Sequence, residues 1–147
     1  MALKTYRATA DHKENLQVHV GVRDFSLVID EPEENGGDNK GMNPVEMLLG
    51  SVAACQTITA MIYADFYGIQ IDGISVEVEG DMDSDGFSGA DPSMRPGFQR
   101  IRSVFHVKSN APKMQLMQLI KMVERRCPVG DSVGHGVEFA PAELVQE

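Results

Sequence analysis

Alternation of apolar and polar side chains is the first pattern along the chain, carried by three short segments near residues 3–9, 16–22 and 25–30. In Leu16-Gln-Val-His-Val-Gly-Val22 every second residue is apolar, the period of a strand with one buried face. Phe25-Ser-Leu-Val-Ile-Asp30 reads the same way. Residues 31–42, EPEENGGDNKGM, are turn formers and acids, and predict a loop.

At Asn43 the period changes. Asn43 suits an N-cap, Pro44 the first helical position and Glu46 the third, which together make a capping box. The helix is predicted to run to about Tyr67, with Gly68 as its stop. Apolar residues lie all round it, among them Leu49, Val52, Ile58, Met61, Ile62 and Phe66, and a helix with no polar face belongs at the centre of a structure. At roughly 36 Å for some 24 residues it is long for one small chain to wrap, so burial by a second subunit is expected.

Two longer alternating segments follow, GISVEVEGD and FQRIRSVFHVKS, joined by a loop over about residues 81–97. Glu77 and Glu79 share one face of the first. Arg100, Arg102, His106 and Lys108 share one face of the second, so antiparallel pairing sets an acidic row against a basic one. A second helix is expected from Pro112 to about Cys127, capped by Ser109 or Asn110. Leu116, Ile120, Val123 and Cys127 form its stripe, and Pro128 ends it. GVEFA reads as a last strand. The predicted order is β-β-β-α-β-β-α-β, an α+β fold in one domain over residues 1–147, without repeats.

Composition narrows the function. A net charge of −9 argues against a nucleic-acid partner, which needs a basic surface. The N-terminal residues lack a secretory leader pattern, and no uninterrupted apolar window appears long enough to span a bilayer. A cytoplasmic protein with reduced thiols and no membrane partner is therefore expected. Two cysteines and four scattered histidines, His12, His19, His106 and His135, suggest neither a metal site nor another cofactor. DMDSDGFSGADP begins like a calcium loop, but Pro92 stands where that loop needs a bidentate Glu, and Asp and Gly are ordinary turn residues.

Cys55 and Cys127 are the remaining candidates for chemistry. Buried cysteine is commonly inert packing. Cys55, in mid-helix, needs a nearby cation to become a thiolate. Cys127, at a helix C-terminus, sits where the helix dipole disfavours one. That asymmetry suits an attacking thiol and a resolving thiol. Arg23, between two strands, is the first choice of cation and Arg7 the second. Arg125 and Arg126 are explained as dipole partners at a helix end.

A helix reading N-P-V-E-M-L-L-x-x-x-A-A-C, followed about seventy residues later by a helix ending in C-P-V, resembles the OsmC/Ohr family of osmotically inducible and organic hydroperoxide resistance proteins. The resemblance implies an intertwined homodimer, with two long helices at its centre packed against sheets and active sites at the interface. It also implies a thiol-dependent peroxidase that reduces organic hydroperoxides. Cys55 would become a sulfenic acid, Cys127 would condense with it to a disulfide, and a dithiol, lipoyl-type by the family's suggestion, would reduce that disulfide. Arg23, within V-G-V-R-D, matches the segment that carries the family's activating arginine. The peroxidase subgroups place an acid directly after the Pro, where this chain has Val45. Glu46 is the nearest acid, a fourth candidate site residue, although nine residues at about 100° each put it opposite Cys55 on the helix. An apolar pocket of Met47, Leu48, Met61 and Met122 is expected for the peroxide. The alternative is a redox-sensing or small-molecule-binding dimer that kept the thiols with little turnover.

Overall fold

The computed structural model describes Met1–Glu147, an α+β chain in two compact units, Met1–Leu48 and Leu49–Glu147. The first unit holds an antiparallel meander of β1 (Thr9–His12), β2 (Val18–Val22) and β3 (Phe25–Ile29). The first strand begins at Thr9 rather than near residue 3, because the β1 ladder opens with Thr9 opposite Gly21 and β2 ends one residue later. Val22 pairs with Phe25, so Arg23 and Asp24 make the turn, and Arg23 takes a left-handed φ of 53°.

After β3 the Gly-rich segment is loop, as its composition predicts, but an ordered one. Asp30 is buried, and its carboxylate accepts the backbone N–H groups of Glu31, Asp38 and Lys40 at 2.8, 3.2 and 3.1 Å. Burial alone would raise the Asp30 carboxyl; those three hydrogen bonds and the charge of Lys40 outweigh it and hold the group below its ordinary value. A single 3-10 turn, Glu33–Asn35, closes at Gly36 in the left-handed region. Gly37 lies so close to the Glu31 carbonyl that a side chain there would overlap it.

The long helix α1 (Pro44–Phe66) starts with the capping box expected of it. Asn43 Oδ1 accepts the Glu46 N–H and Glu46 Oε1 accepts the Asn43 N–H, both at 2.9 Å. It ends in a Schellman arrangement: Gly68 has φ 69°, its N–H reaches the Asp65 carbonyl, and the Ile69 N–H reaches that of Ala64. By length and composition alone α1 could cross a bilayer. The expectation of no such segment looked for an unbroken apolar run, whereas here Ser, Gln and Thr are interspersed in a helix that is apolar on average.

In the second unit β4 (Gly73–Met82) and β5 (Phe98–Lys108) form an antiparallel pair with the predicted charge match. Arg102 faces Glu79 and bonds it at 2.7 Å, reaches Asp81 diagonally at 2.8 Å, and His106 meets Glu77 at 3.1 Å. The predicted loop between the strands contains a short helix, α2 (Ser84–Ser88). The helix α3 (Lys113–Arg126) follows, with Pro112 at its N-cap position and no side-chain cap, so neither Ser109 nor Asn110 has that role. Ser109 Oγ is instead bonded to the Gln70 carbonyl and the Ala111 N–H.

Pro128 ends α3 as expected, but another helix begins at once: α4 (Pro128–His135), with Pro128 in its first turn. Proline cannot extend the preceding helix, yet its fixed φ suits a new N-terminus. The last expected strand, GVEFA, is not formed. Residues 136–147 have no regular structure, and Val137 and Phe139 are exposed. A strand needs a partner for its backbone, and none pairs with this segment within the chain. The core of the unit is Ala60 of α1, Val123 of α3 and Cys127. Cys55, Ile74, Phe105 and Val129 pack against them, joining α1, the β4–β5 pair and the α3–α4 junction.

Candidate functional site

The four-residue spacing of a helix decides what surrounds Cys55. Ile58, Thr59, Ile62 and Tyr63 stand three, four, seven and eight residues beyond it, all on one face of α1. With Arg126 and Pro128 they line a depression of about 530 Å³ that Cys55 also lines. Cys55 is half-buried, and its sulfur lies 4.0 Å from the Thr59 hydroxyl. The walls are mostly apolar, and the one cationic side chain among them is Arg126.

Cys127 comes to the same place from α3 and is only 1% exposed. The two cysteines pack in one cluster, close enough for the Cys55 side chain to act on the Cys127 thiol, and both are free. Cys127 is not simply a helix C-terminus, as its sequence position suggests. It also caps the start of α4, where its sulfur accepts the Gly130 N–H at 3.3 Å. Burial pushes the Cys127 thiol up, the neighbouring Cys55 adds to this, and the Gly130 and Val129 N–H groups offset only part. The net shift is upward, and its largest cause is burial rather than the end of α3.

The other sequence candidates are placed differently. Glu46 is occupied in the capping box. Arg23, in the first unit, lays its guanidinium over the Phe25 ring at 4.9 Å. Arg7 is exposed ahead of β1, and Val45 is half-buried. The expected methionine pocket is not what borders Cys55: neither Met61 nor Met122 lines that depression, and Ile58, Ile62 and Tyr63 do. Met61 is six residues from Cys55, on another face of the helix. Met122 lines a separate cavity with Tyr67, Leu119 and Arg125. The calcium-like segment is used locally, since Asp83 Oδ1 accepts the Asp85 and Gly86 N–H groups to cap α2 and Asp91 accepts from Ser93.

Sequence reasoning missed Arg126, whose place at a helix end had a sufficient local explanation, and Gln56. Gln56 is 9% exposed, and its buried Oε1 has no hydrogen-bond partner. The signal for Arg126 is its adjacency to Cys127; for Gln56 it is a polar side chain on an otherwise apolar helix.

Comparison with known proteins extends these local observations to the whole chain. An OsmC-like protein of Mycoplasma pneumoniae superposes with a TM-score of 0.78 at 24% identity, over 89% of this chain and 88% of that one. An organic hydroperoxide resistance protein OsmC of Legionella pneumophila gives 0.68 at 23% identity, over 90% and 91%. An organic hydroperoxide resistance protein of Elizabethkingia anophelis gives 0.62 at 19%, over 90% and 89%. No curated protein matches the sequence. The model of the OsmC-like protein family matches residues 37–141, a span that contains both cysteines, and the chain belongs to that family.

Proposed function

We propose that the protein is a thiol peroxidase that reduces organic hydroperoxides, working in the cytoplasm as a homodimer and as one OsmC-like domain over residues 1–147. The observation that carries this reading is the thiol pair. A half-buried Cys55 borders an apolar depression, and a buried Cys127, whose thiol burial pushes up, packs in the same cluster.

The chemistry uses each difference between the sulfurs. Cys55 Sγ, as thiolate, attacks the terminal oxygen of the hydroperoxide. The O–O bond breaks, the alkoxide leaves and takes a proton to become the alcohol, and Cys55 holds a sulfenic acid. Cys127 then attacks that sulfur, the S–O bond breaks, and the hydroxide departs as water with the thiol proton of Cys127. A small dithiol returns the disulfide to two thiols. Ile58, Ile62 and Tyr63 suit an alkyl or aryl group more than the bare polarity of hydrogen peroxide.

The strained backbone at Arg23 adds support. A left-handed φ is costly for an arginine, by about 1 kcal/mol, where Gly or Asn would serve the turn. Such positions are often kept for function. Against fast turnover stands Val45, where the peroxidase subgroups have an acid. It favours the second reading, a redox-sensing or small-molecule-binding dimer with the same thiols.

Intact-mass spectrometry separates the two readings. One equivalent of cumene hydroperoxide should cost the wild type two hydrogens, as a Cys55–Cys127 disulfide, and should leave Cys127→Ser with one added oxygen on Cys55. Two unreacted thiols would overturn the peroxidase reading. A disulfide that forms but does not turn over with a dithiol would favour the sensor.

A further inference from the structure

A hollow that touches neither thiol lies between α3 and the residues that follow α1. Its volume is about 490 Å³, and it shares no lining residue with the Cys55 depression. Small-ligand sites span about 300–1,000 Å³, so the space is of ligand size. Helical spacing builds one wall: Gln115, Gln118, Met122 and Arg125 follow one another at intervals of three or four residues and share a face of α3.

The floor is apolar. Leu119 is 4% exposed, and Met122 and Ile69 are half-buried. Tyr67 supplies an aromatic edge that is 52% exposed yet held in place, stacked on Tyr63 at 6.2 Å and edge-on to Phe66 at 5.1 Å.

The rim carries charge of one sign. In a chain with 22 acids against 13 lysines and arginines, the hollow is lined by Lys121 and Arg125 and by no acid. Glu124, the only acid of α3, lines a different cavity. Neither cation makes an ion pair; those of the chain belong to Arg102, His106 and His135. The helix dipole accounts for Arg125 in the last turn of α3, but Lys121 stands ahead of that turn. Unpaired cations over an apolar floor describe a site for a molecule with one anionic end and one apolar end.

We propose that this hollow binds a small aromatic carboxylate, with its ring on Leu119 and Met122 beside Tyr67 and its carboxylate at Lys121 and Arg125. The fork of a guanidinium matches the two oxygens of a carboxylate, and the Met122 thioether is a favourable neighbour for a ring. Gln115 and Gln118 are exposed at the same rim, and their carboxamides can donate further N–H groups. Binding here makes no covalent bond and does not depend on the reading of Cys55 and Cys127 as a peroxidase pair.

The probe is 2-naphthoate, titrated into the full-length wild type by calorimetry while spectra of methyl-labelled methionine are recorded. It should bind with a Kd of about 1 mM or tighter, the affinity that ordinary efficiency per atom gives a ligand of this size. The Met122 methyl signal, assigned with Met122→Leu, should shift along the titration. The double variant Lys121→Gln, Arg125→Gln should bind about fivefold to tenfold more weakly, the scale of two solvent-exposed charge pairs. Neutral 2-naphthylmethanol should lose a similar factor on the wild type. Arg126→Gln should bind within about twofold of the wild type, since Arg126 borders the Cys55 depression instead. No binding at about 10 mM probe, or equal affinity in the double variant, overturns the site. Binding lost in Arg126→Gln but kept in the double variant puts the probe beside Cys55 and overturns it too. So does a wild type that binds no probe and whose dimer is dissociated by the double variant, because a second copy then covers the hollow.

Discussion

Replacing Ile62 by Asp should dissociate the protein. Ile62 is 61% exposed, its neighbour Ile58 is 60% exposed and Phe66 is 78% exposed, an apolar row at four-residue intervals along α1. Full burial of an isoleucine is worth about 1.5–3 kcal/mol, so covering the remaining three-fifths is worth about 1–2 kcal/mol per chain. A twofold dimer counts the change twice, giving roughly 2–4 kcal/mol and a dissociation constant raised about thirty- to seven-hundred-fold. The desolvation of two carboxylates makes this a lower bound. Sedimentation velocity over a dilution series should give a dimer for the wild type at micromolar concentration and a monomer for Ile62→Asp. A wild-type mass of 16.1 kDa throughout would refute the homodimer. An unchanged dissociation constant in the variant would show that α1 does not carry the interface.

Other perturbations probe the site itself. Val123→Ala removes two methyl groups from a fully buried position beside Cys127 and should destabilise by about 2–3 kcal/mol in urea unfolding; a loss under about 0.5 kcal/mol would mean the thiol pair is not held by this core. The raised Cys127 thiol adds stability that is complete below its ordinary value of 9.0 and declines as pH rises beyond it. Melting of the reduced wild type should therefore fall more steeply above pH 9 than that of Cys127→Ser, and parallel curves would count against it. Arg23→Gly relieves the left-handed φ and should stabilise the fold by up to about 1 kcal/mol; if Arg23 also serves the chemistry, peroxide oxidation of Cys55 slows in the same variant.

What the sequence disclosed follows from how far each feature depends on distant residues. The capping box at Asn43 and Glu46 and the stop at Gly68 are satisfied within a few residues, so they were legible. The β4–β5 pair was legible because its charge rows permit one pairing, realised by Arg102 with Glu79 and Asp81. GVEFA was not, since alternation records only a wish for one buried face, and no strand of the chain takes it as a neighbour. The meeting of the cysteines could not be read from spacing. It depends on α1 and α3 packing about Ala60 and Val123, which brings two cysteines from distant positions in the sequence into one cluster.

The cation beside Cys55 shows where local explanation misleads. At a helix C-terminus any cation is welcome, so in the sequence Arg126 has a sufficient local explanation. Yet the fold sets it on the wall of the Cys55 depression, one residue from the partner thiol. Arg23 is the opposite case: its motif points to chemistry, while its guanidinium rests over Phe25 and its backbone is left-handed in the β2–β3 turn. A cation at the rim can orient an incoming substrate without activating the thiolate. Charge reversal at Arg126 should slow the reaction of peroxides bearing a carboxylate and spare neutral cumene hydroperoxide, and stopped-flow oxidation of Cys55 with the two substrates checks it. Equal slowing of both substrates would remove Arg126 as a selector of substrate charge, a role that follows from the side chains around the sulfur and is invisible in the order of residues along the chain.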